Sequence, residues 1–387
     1  MKKRIRVLDR NKLFLQIQNL SKNLFPDLTS ESNIAQEKLD EINTDINFIK
    51  KVELSNSSFL IPSWIGNIKD TFDIKNDLQD YSVLAVDGSQ VYPDRNVSGA
   101  GCFLINTGGC QIHYSSQSKV SFFSEPQVFL IQDFLDKNYK ISFSRDLVDL
   151  KREELELKKL FEISISNNID LCFVDGTIIF WPLEGKAEEV KDLFLKSYLN
   201  YLNEFYNNKK LIAGYISFPK SKEIVNLIKL GLCRFDFAEC IACHRNYTDF
   251  PCKIIDHLID TQVLRSFLKP MQRTTIFSSN SKIIKEYPNH LKPCFFYLNV
   301  GKEIVRIETF DWIAKDINNL DFICKVAIDQ ANKGLGYPVV LAESHEQAVV
   351  KGPDRNFFYH LIQKVALEQQ KRLFYSQKSL KKRGIGV

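Results

Sequence analysis

The spacing of hydrophobic and polar positions changes character once along the chain. Up to residue 80 the sequence is polar and rich in Asn and Lys, with short helical patches such as Leu13-Phe14-Leu15-Gln16-Ile17. This part predicts an N-terminal, largely helical extension, with Leu60-Ile61-Pro62-Ser63-Trp64-Ile65 available to pack it onto the main domain. From Tyr81 onward, apolar runs of strand length alternate with turns and helix-periodic stretches. Leu84-Ala85-Val86 leads into Asp87-Gly88-Ser89, and Leu171-Cys172-Phe173-Val174 leads into Asp175-Gly176-Thr177. Each run fits a buried strand closed by a tight turn, with the Asp at its end and a Gly that permits close backbone approach.

Between these two blocks, Cys102-Phe103-Leu104-Ile105 and Cys110-Gln111-Ile112-His113-Tyr114 flank Gly108-Gly109, a pattern that predicts a hairpin turn. With the Asp87 strand they make an antiparallel meander. Arg145 to Ser166 is rich in Leu, Glu and Lys and free of Gly and Pro, which predicts a helix. A second helix is expected over Lys186–Tyr206, and a buried strand over Leu211–Phe218, closed by Pro219-Lys220-Ser221-Lys222. Strand–helix–strand order of this kind implies parallel crossovers. Further on, a helix is expected around Ile254–Leu268, a hairpin about Gly301-Lys302, and helices near Ile317–Asn332 and Phe357–Phe374. The sum is an α/β fold, an RNase H-like mixed sheet flanked by helices. Its expected parts are the extension at 1–80, a main domain at 81–350, and a C-terminal helix with a basic tail at 351–387.

Composition narrows the class rather than the function. At 387 residues, 44% hydrophobic and 26% charged, the chain is ordinary for a soluble globular protein that buries a sizeable core. No apolar run approaches bilayer length, and Met1-Lys2-Lys3-Arg4-Ile5-Arg6 is not followed by a secretory apolar segment, so a cytoplasmic protein is expected. The formal charge of +5 is compatible with a nucleic-acid partner without arguing for one. Nine cysteines, an odd number without a signal sequence, suggest reduced thiols.

The candidate chemistry is mostly acidic. Two carboxylates on strands of one sheet suit hard divalent cations, which take oxygen ligands. The helix between them carries Glu153, Glu154 and Glu156. Helical geometry puts Glu154 on the stripe of Leu147, Leu150, Leu157 and Phe161, and Glu156 on the other side near Asp149 and Leu160. Most such charge runs are solvated faces. Gly336-Tyr337-Pro338-Val339-Val340-Leu341-Ala342-Glu343-Ser344-His345 sets an apolar run before one of only six His, which either packs structurally, ligates a metal or moves protons. Cys233, Cys240, Cys243 and Cys252, with His244 adjacent, have spacing compatible with a zinc or iron–sulfur site, or with partly buried free thiols. Lys220 and Lys222, and the tail from Lys371-Arg372-Leu373-Phe374 through Lys381-Lys382-Arg383, are solvated bases or phosphate contacts.

These blocks resemble a known family. Leu84 to Ser89, Val174 to Thr177, Ala213-Gly214-Tyr215-Ile216-Ser217 ahead of Lys220, Leu264-Arg265-Ser266-Phe267-Leu268-Lys269-Pro270 running into Arg273-Thr274, and Gly336-Tyr337-Pro338 with Leu341-Ala342 and His345 look like the ordered signature blocks of the NurA nucleases, from about Val83 to Val349. The resemblance implies a 5′-to-3′ DNA exonuclease, with single-strand endonuclease activity, dependent on one or two Mn²⁺ or Mg²⁺ ions. It further implies a homodimer that works with a HerA-type translocase in end resection and double-strand-break repair. Carried over by matching blocks, Asp87, Asp175, a helix Glu and His345 would hold metal, and Tyr337 would complete the site. Family spacing favours Glu156 whereas the apolar stripe favours Glu154, and Glu156 is preferred. Thr177 stands where the family most often has Ser. The competing expectations are a non-catalytic RNase H-like module that binds DNA ends or regulates a translocase, and a nuclease acting on RNA or invading DNA.

Overall fold

The computed structural model of the chain describes residues 8–24, 26–75, 77–93, 97–98, 101–134, 143–371 and 374–375. Most of the basic tail lies outside the described residues, as does the start of the N-terminus. The chain divides into two compact units, one of Met1–Ile61 with Lys220–Ser266 and one of Pro62–Pro219 with Phe267–Val387.

The sheet unit carries the candidate chemistry. Its central strands are β1 (Tyr81–Val91), β2 (Cys102–Tyr114), β3 (Lys119–Leu130), β4 (Leu171–Asp175) and β5 (Leu211–Ile216). In space they run β3-β2-β1-β4-β5, the first three antiparallel, and β1, β4 and β5 mutually parallel. This is the RNase H-like order. The hairpin β6 (Pro293–Asn299) and β7 (Ile304–Phe310) extends the sheet, with β7 antiparallel to β5. The β1–β4–β5 pairing demands crossovers, supplied by α1 (Arg145–Ser166) and α2 (Glu188–Asn207). Helices α3 (Ile317–Lys333), α4 (Val339–Ala348) and α5 (Gly352–Glu368) come after the hairpin. Leu147, Leu150, Leu157 and Leu160 bury one stripe of α1 in the same core as Leu84, Phe173 and Ile212 of the sheet. Burial of such side chains contributes roughly 1.5–3 kcal/mol each.

Three local expectations change. Gly108-Gly109 is not a turn: β2 runs through it, and the reversal into β3 falls at residues 115–118. Asp87 is not at a strand end, because β1 continues four residues beyond it to Val91. The helix expected over 254–268 breaks into a 3₁₀ turn, Pro251–Ile255, and a short helix, Asp260–Leu264. The break has a cause within its unit: Asp260 is buried, accepts a hydrogen bond from the Val225 N–H at 2.8 Å and donates its own N–H to the Ser221 carbonyl at 3.0 Å.

In the other unit, three helices (Arg10–Leu24, Thr29–Thr44 and Phe48–Leu54) precede residue 62, and the returning segment adds Glu223–Leu232 and Cys240–Asn246. Gly231 allows close packing there, since a Cβ would lie 2.6 Å from Ile42. Cys233, Cys240, Cys243 and Cys252 are partly buried free thiols. Among the described residues no group of three or more His, Cys, Asp or Glu is arranged to hold a metal. Burial pushes the Cys252 thiol up, and nearby Asp256 adds to the effect.

Candidate active site

Register brings the two strand carboxylates together. Ala85 of β1 pairs in parallel with Phe173 of β4, so two residues further along Asp87 stands level with Asp175. Adjacent strands lie about 4.8 Å apart, and residues at the same level point to the same face. The strands then part company. Asp175 ends β4, and Gly176 turns the chain at a φ of 106°, while β1 runs on.

Two helices meet this point from opposite faces. Gly108 lies directly opposite Asp87 in the β1–β2 ladder, and a Cβ there would sit 2.2 Å from the Ala348 backbone nitrogen. Glycine at this position therefore lets α4 lie against the sheet, which carries His345 to Asp87, Nδ1 to Oδ2 at 2.8 Å. Just before α4, the Tyr337 hydroxyl donates to Asp175 Oδ1 at 2.8 Å. Gly88, the next residue along β1, faces the other way. A Cβ on it would lie 2.5 Å from Glu156 Oε1 and 2.7 Å from Arg152 Cγ, so glycine here admits the carboxylate of α1.

The result is a cavity of about 310 Å³ lined by Asp87, Arg152, Glu153, Glu156 and Asp175, with Trp181 and Tyr198 among its walls. Burial pushes the Glu156 carboxyl up to about 8, with Asp87 and Glu153 adding to the rise and Arg152 opposing it. Asp175 is raised by burial and by Asp87, against the Tyr337 hydrogen bond and His345. Glu153 is raised chiefly by burial. The Tyr337 hydroxyl is pushed up by burial and by the Asp175 carboxylate. Burial leads each of these carboxyl shifts, and Asp87 adds to the rise at Glu156 and Asp175.

Each carboxylate has a donor of its own. His345 serves Asp87, Tyr337 serves Asp175, and Arg152 Nη1 serves Glu156. Among the described residues these groups are not arranged as a set of three or more metal ligands. The all-oxygen carboxylate set has the donor chemistry that a hard divalent cation takes.

Glu154 is elsewhere. It is buried against α2, accepting from Lys151 Nζ at 2.8 Å and from the Ser197 hydroxyl at 2.5 Å. The apolar stripe identified a side chain that packs, whereas the cavity is met by Arg152, Glu153 and Glu156 beside Leu157 and Leu160. The Thr177 hydroxyl also turns away: it donates to Glu308 Oε2 at 2.6 Å and accepts from the Ile179 N–H at 3.0 Å. Glu308 is buried and paired with Arg306 at 2.9 Å, so Thr177 fastens the loop after β4 to β7. Lys222 donates to the Asp256 carbonyl at 2.6 Å within the other unit, and Lys220 is exposed there. Arg152 was not among the sequence candidates. Its position four residues before Glu156, one helical turn, was the available signal.

A family model for the NurA domain matches residues 81–350. Comparison with curated proteins gives no match. Among solved structures the chain is similar to two crystal structures of a trimeric exonuclease, PhoExo I from Pyrococcus horikoshii OT3, at 2.20 and 2.15 Å resolution. Both are 11% identical and cover 59% of this chain and 99% of that one, with TM-scores of 0.20 and 0.19, too low to carry a structural argument. Among the described residues no helix is long and apolar enough to cross a membrane. The family match spans well over half of the chain and takes in the whole carboxylate cavity with Tyr337 and His345, and on that ground this chain belongs to the NurA family of nucleases.

Proposed function

We propose that the chain is a metal-dependent DNA nuclease that hydrolyses phosphodiester bonds at the cavity formed by Asp87, Glu156 and Asp175. The observation that carries this reading is the convergence of those carboxylates, from β1, α1 and β4, on one cavity. Bound Mn²⁺ or Mg²⁺ supplies a water of lowered pKa and charge stabilisation at the phosphate. Asp87, Glu156 and Asp175 would hold it, with His345 at the edge of the set. Tyr337 fixes the orientation of Asp175 through its hydroxyl hydrogen. His345 is tied at Nδ1 to Asp87 and its side chain is 57% exposed, so Nε2 is the atom that takes up and returns a proton.

The 5′-to-3′ polarity, the single-strand endonuclease activity, the homodimer, and a role in end resection with a HerA-type translocase are part of the same proposal, supported by family membership. The test is cleavage of end-labelled single- and double-stranded DNA with Mn²⁺, Mg²⁺ or EDTA, comparing the protein with Asp87→Ala. Cation-dependent degradation is expected, reduced about 10³-fold or more in the variant, the scale of several kcal/mol of lost charge stabilisation. The label that is released first gives the polarity. Undiminished cleavage by folded Asp87→Ala would remove the assignment. No cleavage by the unaltered protein, even with a HerA-type partner, would favour a DNA-end-binding module instead.

A further inference from the structure

Arg152 is the only cation among the described residues that line the cavity, and the hydrolytic roles above leave it unused. Its guanidinium is hydrogen-bonded at one end, ion-paired with Glu153 at the other, and unpaired at Nε. Nη1 donates to Glu156 Oε1 and reaches the Gly88 carbonyl at 3.4 Å. Nη2 lies 3.9 Å from Glu153 Oε1, beyond hydrogen-bonding distance. Nε is buried and has no hydrogen-bond partner. A buried N–H left unpaired is costly, more so where the group is charged, so a donor in this state on a residue of the cavity wall points to an acceptor that arrives from outside.

Chemistry selects the acceptor. Nε and Nη2 form one edge of the planar guanidinium fork, the geometry that grips two oxygens of a phosphate. The other lining groups with charge are Asp87, Glu153, Glu156 and Asp175, all repulsive toward an anion. A phosphodiester entering this acidic cavity needs a fixed cation at its wall. We propose that Arg152 is a phosphate-contacting residue: its Nε–Nη2 edge donates to the non-bridging oxygens of the scissile nucleic-acid phosphate, while Nη1 keeps Glu156 oriented. This rests on the reading of the cavity as a phosphodiester-hydrolysing site. The guanidinium keeps its proton throughout and forms no bond to phosphorus.

The test is equilibrium binding of a fluorescein-labelled single-stranded oligonucleotide in EDTA, by anisotropy over a salt series, beside cleavage of the same strand in Mn²⁺. The proteins are the unaltered chain, Arg152→Ala, Arg152→Lys, and the double variant Arg152→Ala/Glu156→Gln. The double variant removes the unpaired acid that the single truncation leaves behind, so binding stays measurable if Arg152→Ala folds poorly. Arg152→Ala and the double variant are expected to bind roughly tenfold or more weakly, the worth of a charge-assisted hydrogen bond. Their log–log salt slope should fall by about 0.7, one phosphate contact on a single strand. Arg152→Lys should restore the slope but not the full affinity, since a point charge lacks the fork. Unchanged affinity and slope in the double variant, with the unaltered protein cutting normally, would overturn the role of Arg152 and leave the nuclease reading in place. An unaltered protein that neither binds nor cuts the strand would overturn both.

Discussion

The two Asp-Gly blocks are nearly identical as sequence and do different things. In the second, Asp175 ends its strand and Gly176 adopts a positive φ with open space around it, so its glycine serves the backbone turn. In the first, Asp87 lies inside an unbroken strand, and Gly88 is there because Glu156 and Arg152 occupy the space a side chain would need. One glycine bends the chain; the other makes room for a neighbouring helix. The comparison shows that a turn dipeptide inside a strand marks the place where another element comes close.

Four substitutions and one titration sharpen that contrast. Gly108→Ala should have the largest effect on the fold, because the added methyl meets α4 backbone, which cannot rotate aside. A loss of about 1–3 kcal/mol is expected, the cost of overpacking, together with loss of cleavage as His345 shifts from Asp87. Urea denaturation and the nuclease assay check both halves. Gly88→Ala should leave stability closer to normal, since the added methyl meets side-chain atoms of Glu156 and Arg152 rather than backbone, but displaces Glu156 and should lower kcat roughly tenfold or more. Gly176→Ala should do the reverse: about 1–2 kcal/mol of backbone strain, with cleavage largely kept because the added methyl enters open space. If Gly88→Ala and Gly176→Ala trade these outcomes, the distinction between the two glycines is wrong.

The smallest effect concerns pH. Glu156 has its carboxyl raised from 4.5 to about 8, so the folded protein binds a proton there that the unfolded chain has released. Between those values the unfolded state holds fewer protons, and stability falls as pH rises. In EDTA, the contribution from Glu156 is therefore complete below about pH 4.5 and is lost as pH climbs through 8. Thermal denaturation in chelator from pH 6 to 9 should show this decline, and Glu156→Gln should flatten it. A variant that declines as steeply as the unaltered protein would show that other groups set the slope.

Much of the frame is legible along the chain. α1 spans the Leu-, Glu- and Lys-rich stretch Arg145–Ser166 expected to be helical, and the hairpin at Gly301-Lys302 arises from two apolar runs about a turn. The antiparallel meander is legible too, although its second reversal lies at residues 115–118 and not at Gly108-Gly109, because a glycine pair signals a turn and a close approach alike. Periodicity favoured Glu154, and family spacing favoured Glu156. An apolar stripe names the face that packs, and α1 packs on the sheet core and on α2 while presenting Glu156 past Gly88.

By itself the sequence determined most of the elements and their order, and it offered Asp87, Asp175, His345 and the glutamates of α1 as candidate groups, to which the family resemblance added Tyr337. Periodicity and local propensity act over a few residues, and these properties are local. Tertiary structure decided the rest: the alignment of Asp87 with Asp175 by strand register, the approach of α4 over Gly108, the presence of Glu156 rather than Glu154 in the cavity, and the place of Arg152 with its Nε unpaired. Each depends on residues tens to hundreds of positions apart meeting across a strand or a helix face. No local pattern encodes the distance between them.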